Sequence, residues 1–264
     1  MRASLIQIAV DQQESVNSRR QRVASLVREQ RGADLVVLPE LWPVGAFAYE
    51  LFEAEAEPLH GPTYELMAKA ASDAGVWLHA GSVVERAGDG GLYNTSLVFS
   101  PDGELAASYR KIHRFGFDKG EAVLMGAGDQ LVTVALPELT LGVATCYDLR
   151  FPELFRGLTD AGAQALVIPA GWPARRVGHW TLLARARAVE NQAYVFACGT
   201  GGTHAGVDQA GHSVVVDPWG EVLAEAGPGE EVLTVDFDPG RVEETREQFP
   251  VLKDRLLGLD APRR

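Results

Sequence analysis

Gly32-Ala33-Asp34-Leu35-Val36-Val37-Leu38-Pro39-Glu40 returns in the second half of the chain as Gly162-Ala163-Gln164-Ala165-Leu166-Val167-Ile168-Pro169-Ala170. Each copy reads as a short buried strand stopped by proline, whose end feeds a loop. Two more blocks recur in the same order. Ala68-Lys69-Ala70-Ala71-Ser72-Asp73-Ala74-Gly75-Val76 resembles Ala186-Arg187-Ala188-Val189-Glu190-Asn191-Gln192-Ala193-Tyr194, and Ser96-Leu97-Val98-Phe99-Ser100-Pro101-Asp102-Gly103 matches Ser213-Val214-Val215-Val216-Asp217-Pro218-Trp219-Gly220. Ordered matches of this kind mark a doubled unit.

The patterns around the repeats alternate between strand and helix. In the first half, residues 4–10 read as a strand, 16–30 and 63–74 as helices, 76–85 and 92–100 as a hairpin, and 105–109 as a strand. In the second, strands are expected at 131–135, 139–145, 165–168, 193–198, 213–217, 222–226 and 231–237. Helices are expected from about 152, over 177–191 and over 239–248. Two units with a mixed sheet and helices on one face would bury their bare faces sheet against sheet. The expected fold is α/β, a four-layer α-β-β-α sandwich of two similar halves, occupying residues 1–264 as a single domain.

Composition bounds the partners. Across 264 residues, 46% are hydrophobic and 23% charged, enough for a sizeable core. Lys and Arg total 24 against 36 Asp and Glu, a formal charge of −12, which repels nucleic acid phosphates. No apolar run approaches the roughly 20 residues of a bilayer span, and Asp11 and Glu14 interrupt the N-terminus too early for a secretory signal. A cytoplasmic protein with no membrane partner is expected. The two cysteines, Cys146 and Cys198, form no CxxC pair, and the histidines show no HxH or HxxxH spacing. The pair His204 and His212, eight apart across glycines, is a poor metal site, so no metal and no organic cofactor is expected.

Three residues sit where chemistry concentrates, at strand ends. Cys146 follows the apolar run 139–145 and precedes a helix, and a cysteine at such an elbow gains an exposed sulfur beside backbone N–H groups that favour a thiolate. A buried core cysteine explains the spacing equally well or better, and that reading is preferred for Cys198. A nucleophilic thiol needs a base, and no histidine stands at a comparable strand end. Glu40 does, while its repeat counterpart is Ala170, so the shared fold does not demand the carboxylate. Lys111, in Tyr109-Arg110-Lys111-Ile112-His113, ends another strand; it suits an oxyanion, although a solvated basic cluster reads as well.

Leu38-Pro39-Glu40, Tyr109-Arg110-Lys111-Ile112-His113 and Cys146-Tyr147-Asp148-Leu149-Arg150-Phe151-Pro152-Glu153-Leu154, in this order, resemble the carbon–nitrogen hydrolase (nitrilase) superfamily from about residue 2 to 250. The resemblance implies a Glu-Lys-Cys triad at Glu40, Lys111 and Cys146, with a second glutamate between the last two at Glu121. It implies hydrolysis of a non-peptide C–N bond through a Cys thioester, and a homodimer or higher homo-oligomer, commonly through the helical face that follows Cys146. The Cys146–Glu153 segment looks like the branch of ω-amidases and deaminated-glutathione amidases, which cleave the terminal amide of small carboxylated molecules.

An anionic substrate makes Arg150, Arg175 and Arg176 candidate partners, although structural salt bridges would occupy arginines as readily. Trp172 and Tyr147 are candidates for the pocket, Tyr147 through its N–H. Arg187 and Glu190, at i and i+3, read as an ordinary helix ion pair. The alternatives are an N-carbamoyl-amine hydrolase or a nitrilase using the same triad, a catalytically silent interaction protein, and a redox-sensing thiol protein.

Overall fold

The computed structural model describes residues 1–258. The first half runs β1 (Arg2–Gln7), α1 (Val16–Arg28), β2 (Leu35–Val37), α2 (Pro62–Ala74), β3 (Trp77–Arg86), β4 (Leu92–Phe99) and β5 (Leu105–Arg110). After a single helical turn, α3 (Glu121–Leu124), come β6 (Val132–Ala135), β7 (Thr140–Val143), α4 (Pro152–Asp160), β8 (Ala165–Ala170), α5 (Val177–Asn191) and β9 (Tyr194–Gly199). A small hairpin, β10 (Thr203–His204) and β11 (Val207–Asp208), precedes β12 (Val214–Val216), β13 (Val222–Glu225), β14 (Glu231–Asp236) and α6 (Arg241–Gln248).

Local chemistry sets the helix ends. Ser15 caps α1 by accepting the Ser18 N–H at 3.1 Å. Pro62 opens α2, and Gly75 closes it in the left-handed region at φ 71°.

Two six-stranded sheets follow, ordered β14-β1-β2-β3-β4-β5 and β6-β7-β8-β9-β12-β13. Their three parallel strands, β1-β2-β3 and β7-β8-β9, are flanked by antiparallel neighbours. Side-chain alternation sorts the layers. Leu35 and Val37 point into the core between the sheets with Val167 and Phe196, whereas Val36 and Leu38 face Val23 and Met67 of α1 and α2. In the second half Ala165 and Val167 face the first sheet, while Leu166 and Ile168 pack on Phe155 of α4 and Trp180 of α5. This is the expected α-β-β-α sandwich.

Two expectations change. The halves do not each complete their own sheet: β14, late in the chain, crosses to pair antiparallel with β1, as β6 pairs with β7. Pro169 also fails to stop its strand. β8 continues to Ala170 because β7 has ended at Val143, opposite Val167, so no strand on that side needs the missing N–H. Among the described residues, no helix is long and apolar enough to cross a membrane.

Candidate active site

Glu40, Lys111 and Cys146 all lie just past strand ends, those of β2, β5 and β7, so the sandwich brings them together at one end of the paired sheets. Cys146 begins a 3₁₀ turn (Cys146–Arg150) and has φ 48°, a left-handed conformation costly for a residue with a Cβ. Asp148 braces that conformation. Its buried carboxylate accepts from the Thr145 N–H at 2.9 Å, the Tyr109 hydroxyl at 2.7 Å and the His113 N–H at 3.0 Å. Arg187 adds two bonds to the Leu149 carbonyl, at 2.8 and 3.1 Å, besides its expected pair with Glu190 at 2.7 Å.

The Glu40 side is strained in the same way. Leu41 has φ 44°, and its N–H is held by the Ser82 hydroxyl at 2.9 Å. Gly81 makes this approach possible, since a Cβ there would stand 2.0 Å from the Pro39 carbonyl oxygen.

The charges interlock. Lys111 Nζ donates to Glu40 Oε1 and to Glu121 Oε2, both at 2.6 Å. The Asn94 amide nitrogen donates to Glu40 Oε1 at 2.8 Å and to Glu121 Oε1 at 2.5 Å. The Gly171 N–H reaches Glu40 Oε2 at 2.8 Å, and the Phe115 N–H reaches Glu121 Oε2 at 2.9 Å. Cys146 Sγ lies 3.7 Å from the Gly171 carbonyl oxygen. Glu40, Lys111 and Glu121 are 2%, 1% and 4% exposed, so this cluster is shielded from bulk solvent and its interactions are strong.

Burial opposes the Lys111 cation more than any other single influence, yet Glu121 and Glu40 outweigh it and hold the ammonium well above the ordinary lysine range. Burial raises Glu121, and Lys111 and the Asn94 donor only partly offset this. The sequence leaves Cys146 either exposed at its elbow or buried, and the structure gives the buried position. It is 6% exposed, at the pocket floor rather than on the surface. Burial first, then the negative Glu40, push its thiol well above the usual cysteine range, so the resting group is a thiol. Cys198 lies between the sheets as expected, its thiol also raised by burial.

The pocket above the sulfur is walled by Tyr147, Trp172, Arg150 and Arg176. Trp172 donates its indole N–H to the Arg176 carbonyl at 2.8 Å, and the Arg150 guanidinium lies over its ring at 4.8 Å. Arg175 is not part of this wall; it lines a wider basin outside. Burial first, then Arg175 and Arg150, lower the Arg176 pKa. The sequence reading missed Asn94, Gly171, Phe47, Tyr49 and Phe115. Of these only Asn94, a carboxamide inside a strand otherwise rich in apolar and hydroxyl residues, carried a signal.

Residues 2–247 match the carbon–nitrogen hydrolase family. The 2-oxoglutaramate amidase of Paenarthrobacter nicotinovorans is 42% identical over 259 residues, covering 95% of this chain and 87% of that protein. Omega-amidase NIT2 of Homo sapiens is 38% identical over 276 residues, covering 98% and 96%. The crystal structure of Nit3 of Saccharomyces cerevisiae, a member of branch 10 of the nitrilase superfamily, superposes with a TM-score of 0.88 at 32% identity, covering 97% of each chain. With fold, strand-end residues and relatives in agreement, the chain belongs to the carbon–nitrogen hydrolase family.

Proposed function

We propose that the protein hydrolyses the terminal amide of a small carboxylated molecule to an acid and ammonia, with Cys146 as nucleophile. The observation that carries this reading is the buried Lys111 ammonium bridging Glu40 and Glu121 at 2.6 Å beside the Cys146 thiol. An ordinary carboxylate and thiol differ by about 4 pKa units, so moving the proton between them costs about 6 kcal/mol. Burial of Cys146 adds to that cost, so deprotonation accompanies attack rather than preceding it.

Glu40 takes the Cys146 proton as Sγ bonds to the amide carbon, and the carbonyl π electrons move onto oxygen. Lys111 and the Tyr147 N–H stabilise that oxyanion. The C–N bond breaks as Glu40 returns the proton to nitrogen, and ammonia leaves a thioester. Water, deprotonated by Glu40, adds to the thioester carbon; the C–S bond breaks, and the proton returns to sulfur.

Arg150 and Arg176 favour an anionic substrate. Both wall the pocket, and neither has a carboxylate partner among the described residues. In a chain of charge −12, guanidinium groups left unpaired at a pocket suit a substrate carboxylate. The names of the amidase relatives favour the same substrate class. Reducing conditions in the cytoplasm would keep Cys146 a thiol. Self-association belongs to this reading too: Leu182 and Val189 of α5, with Trp219 and Phe249 nearby, leave apolar surface exposed, and light scattering tests it.

Ammonia release from 2-oxoglutaramate, other ω-amides, aliphatic amides, N-carbamoyl amino acids and nitriles, with Cys146→Ala as control, tests the reaction. Release from the ω-amides that vanishes in the variant is the expected result. Turnover confined to carbamoyl substrates or nitriles would replace the amide assignment.

A further inference from the structure

Asn94 is the third residue of β4, where its neighbours on the strand, Tyr93 and Thr95, serve the Arg110–Glu85 side of the sheet. Its own side chain turns into the charge cluster. One amide nitrogen divides its two hydrogens between the carboxylates, donating to Glu40 Oε1 at 2.8 Å and Glu121 Oε1 at 2.5 Å. Its backbone carbonyl accepts the Lys111 N–H at 2.9 Å. A single residue therefore touches both acids through its side chain and sets the height of the lysine between them through its backbone.

The other end of the same amide is idle. Asn94 Oδ1 is buried and has no hydrogen-bond partner, an expensive arrangement for a residue whose role is packing. Flipping the amide would aim its oxygen at two carboxylates and be worse. The side chain is thus spent wholly on donation, which fits the charge arithmetic of the cluster. Two carboxylates face one ammonium, and the surplus negative charge, left alone, would favour protonation of an acid. A neutral double donor supports both acids as acceptors without bringing a second cation, which would occupy the space where the oxyanion forms.

The donor sets divide the two acids. Every oxygen of Glu121 is taken by a donor: Asn94 on one, Lys111 and the Phe115 N–H on the other. On Glu40, Oε1 receives Lys111 and Asn94, but Oε2 receives only the Gly171 N–H. Asn94 and Lys111 together tie down Glu40 Oε1 and leave Oε2 with a lone pair for a proton from Cys146.

We propose that Asn94 is a positioning residue that holds Glu40 and Glu121 as acceptors around Lys111, and so sets the pH at which the site becomes competent. This rests on the hydrolase reading above. The groups facing Asn94 and its acids are Glu40 past β2, Lys111 past β5, Glu121 on α3, Cys146 at the 3₁₀ turn, and Tyr49, whose raised pKa reflects burial first and then Glu121 and Glu40.

Asn94→Leu keeps the shape and removes both donors, Asn94→Asp replaces donors with a third carboxylate, and Asn94→Ser retains one donor should the leucine variant fail to fold. Two profiles are measured against pH: kcat/KM for the best amide, and the rate at which iodoacetamide alkylates Cys146, which needs no substrate. In the leucine variant the acid limb of both profiles should move up by about one pH unit, with kcat falling by about tenfold or more and KM little changed. Serine should give a smaller shift in the same direction, and aspartate a larger one. Folded variants whose profiles superpose on the parent, or whose rates drop equally at every pH, would overturn the inference and leave Asn94 a packing residue. If alkylation shifts while no amide is turned over by the parent, the positioning role stands and the hydrolase reading fails.

Discussion

The N–H of Gly171, one residue past the end of β8, donates to Glu40 Oε2 at 2.8 Å. Glu40 and Ala170 occupy the same position in the two sequence repeats, so the halves meet at their equivalent strand ends, one bringing the carboxylate and the other the backbone donor that aims it. Gly171 must also stay small, since a Cβ there would come within 2.4 Å of the Ala46 Cβ.

That geometry makes Glu40→Gln informative. The amide is isosteric and cannot take a proton, but it offers one acceptor oxygen where the carboxylate offers two, so its NH2 must face either the Gly171 N–H or the Lys111 and Asn94 donors. The variant is expected to retain its circular dichroism and melt at a somewhat lower temperature while ammonia release falls about 100-fold or more. Undiminished release would remove Glu40 from the role of base.

Lys111→Met should abolish turnover and also lower stability. Two buried carboxylates 2.6 Å from the same ammonium would lose their shared cation, a change that costs about 3–5 kcal/mol when one partner of a buried pair is removed. Urea unfolding at neutral pH measures it. The penalty should shrink toward acid pH, where protonation relieves the acids. A loss that is small and independent of pH would mean the cluster contributes no net electrostatic stability.

Asp148→Asn tests the brace under Cys146. The carboxylate accepts from Thr145, Tyr109 and His113, and an asparagine must turn a donor toward at least one of those donors. Destabilisation of about 1–3 kcal/mol is expected, together with slower alkylation of Cys146 as its φ 48° conformation relaxes. Unchanged alkylation with lowered stability would show that the turn holds without the brace.

His79 predicts the acid limit of the fold. It is fully buried in β3, accepts the Gly81 N–H on Nδ1 at 3.2 Å, and has its pKa lowered by burial to about 4. The unfolded imidazole protonates near 6.5, so between pH 6.5 and about 4 the unfolded chain binds more protons and stability falls as the pH drops. This one residue accounts for a loss of about 3 kcal/mol across that window. Urea midpoints at pH 7 and 4.5 should show it, and His79→Asn, which keeps an acceptor for Gly81 without titrating, should flatten the slope.

The doubled strand-and-helix pattern was legible in the linear sequence because burial imposes it locally: alternate residues of 35–38 and 165–168 face different layers, and every one of them is apolar. Strand-end positions of Glu40, Lys111 and Cys146 were legible for the same reason, since apolar runs end where the core ends. Other features depend on distance through space. The crossing of β14 to β1 follows from which edge is free once both sheets exist, and Pro169 is tolerated inside β8 only because β7 is short. Asn94 gains its role from facing two carboxylates that are distant in sequence, and Arg175 is separated from Arg176 by the shape of the pocket wall. The state of Cys146 shows the division most clearly. In sequence it reads either as an exposed sulfur at a strand-to-helix elbow or as a buried core cysteine, and only the folded chain decides between them, burying the sulfur and setting Glu40 beside it, both of which push the thiol pKa up.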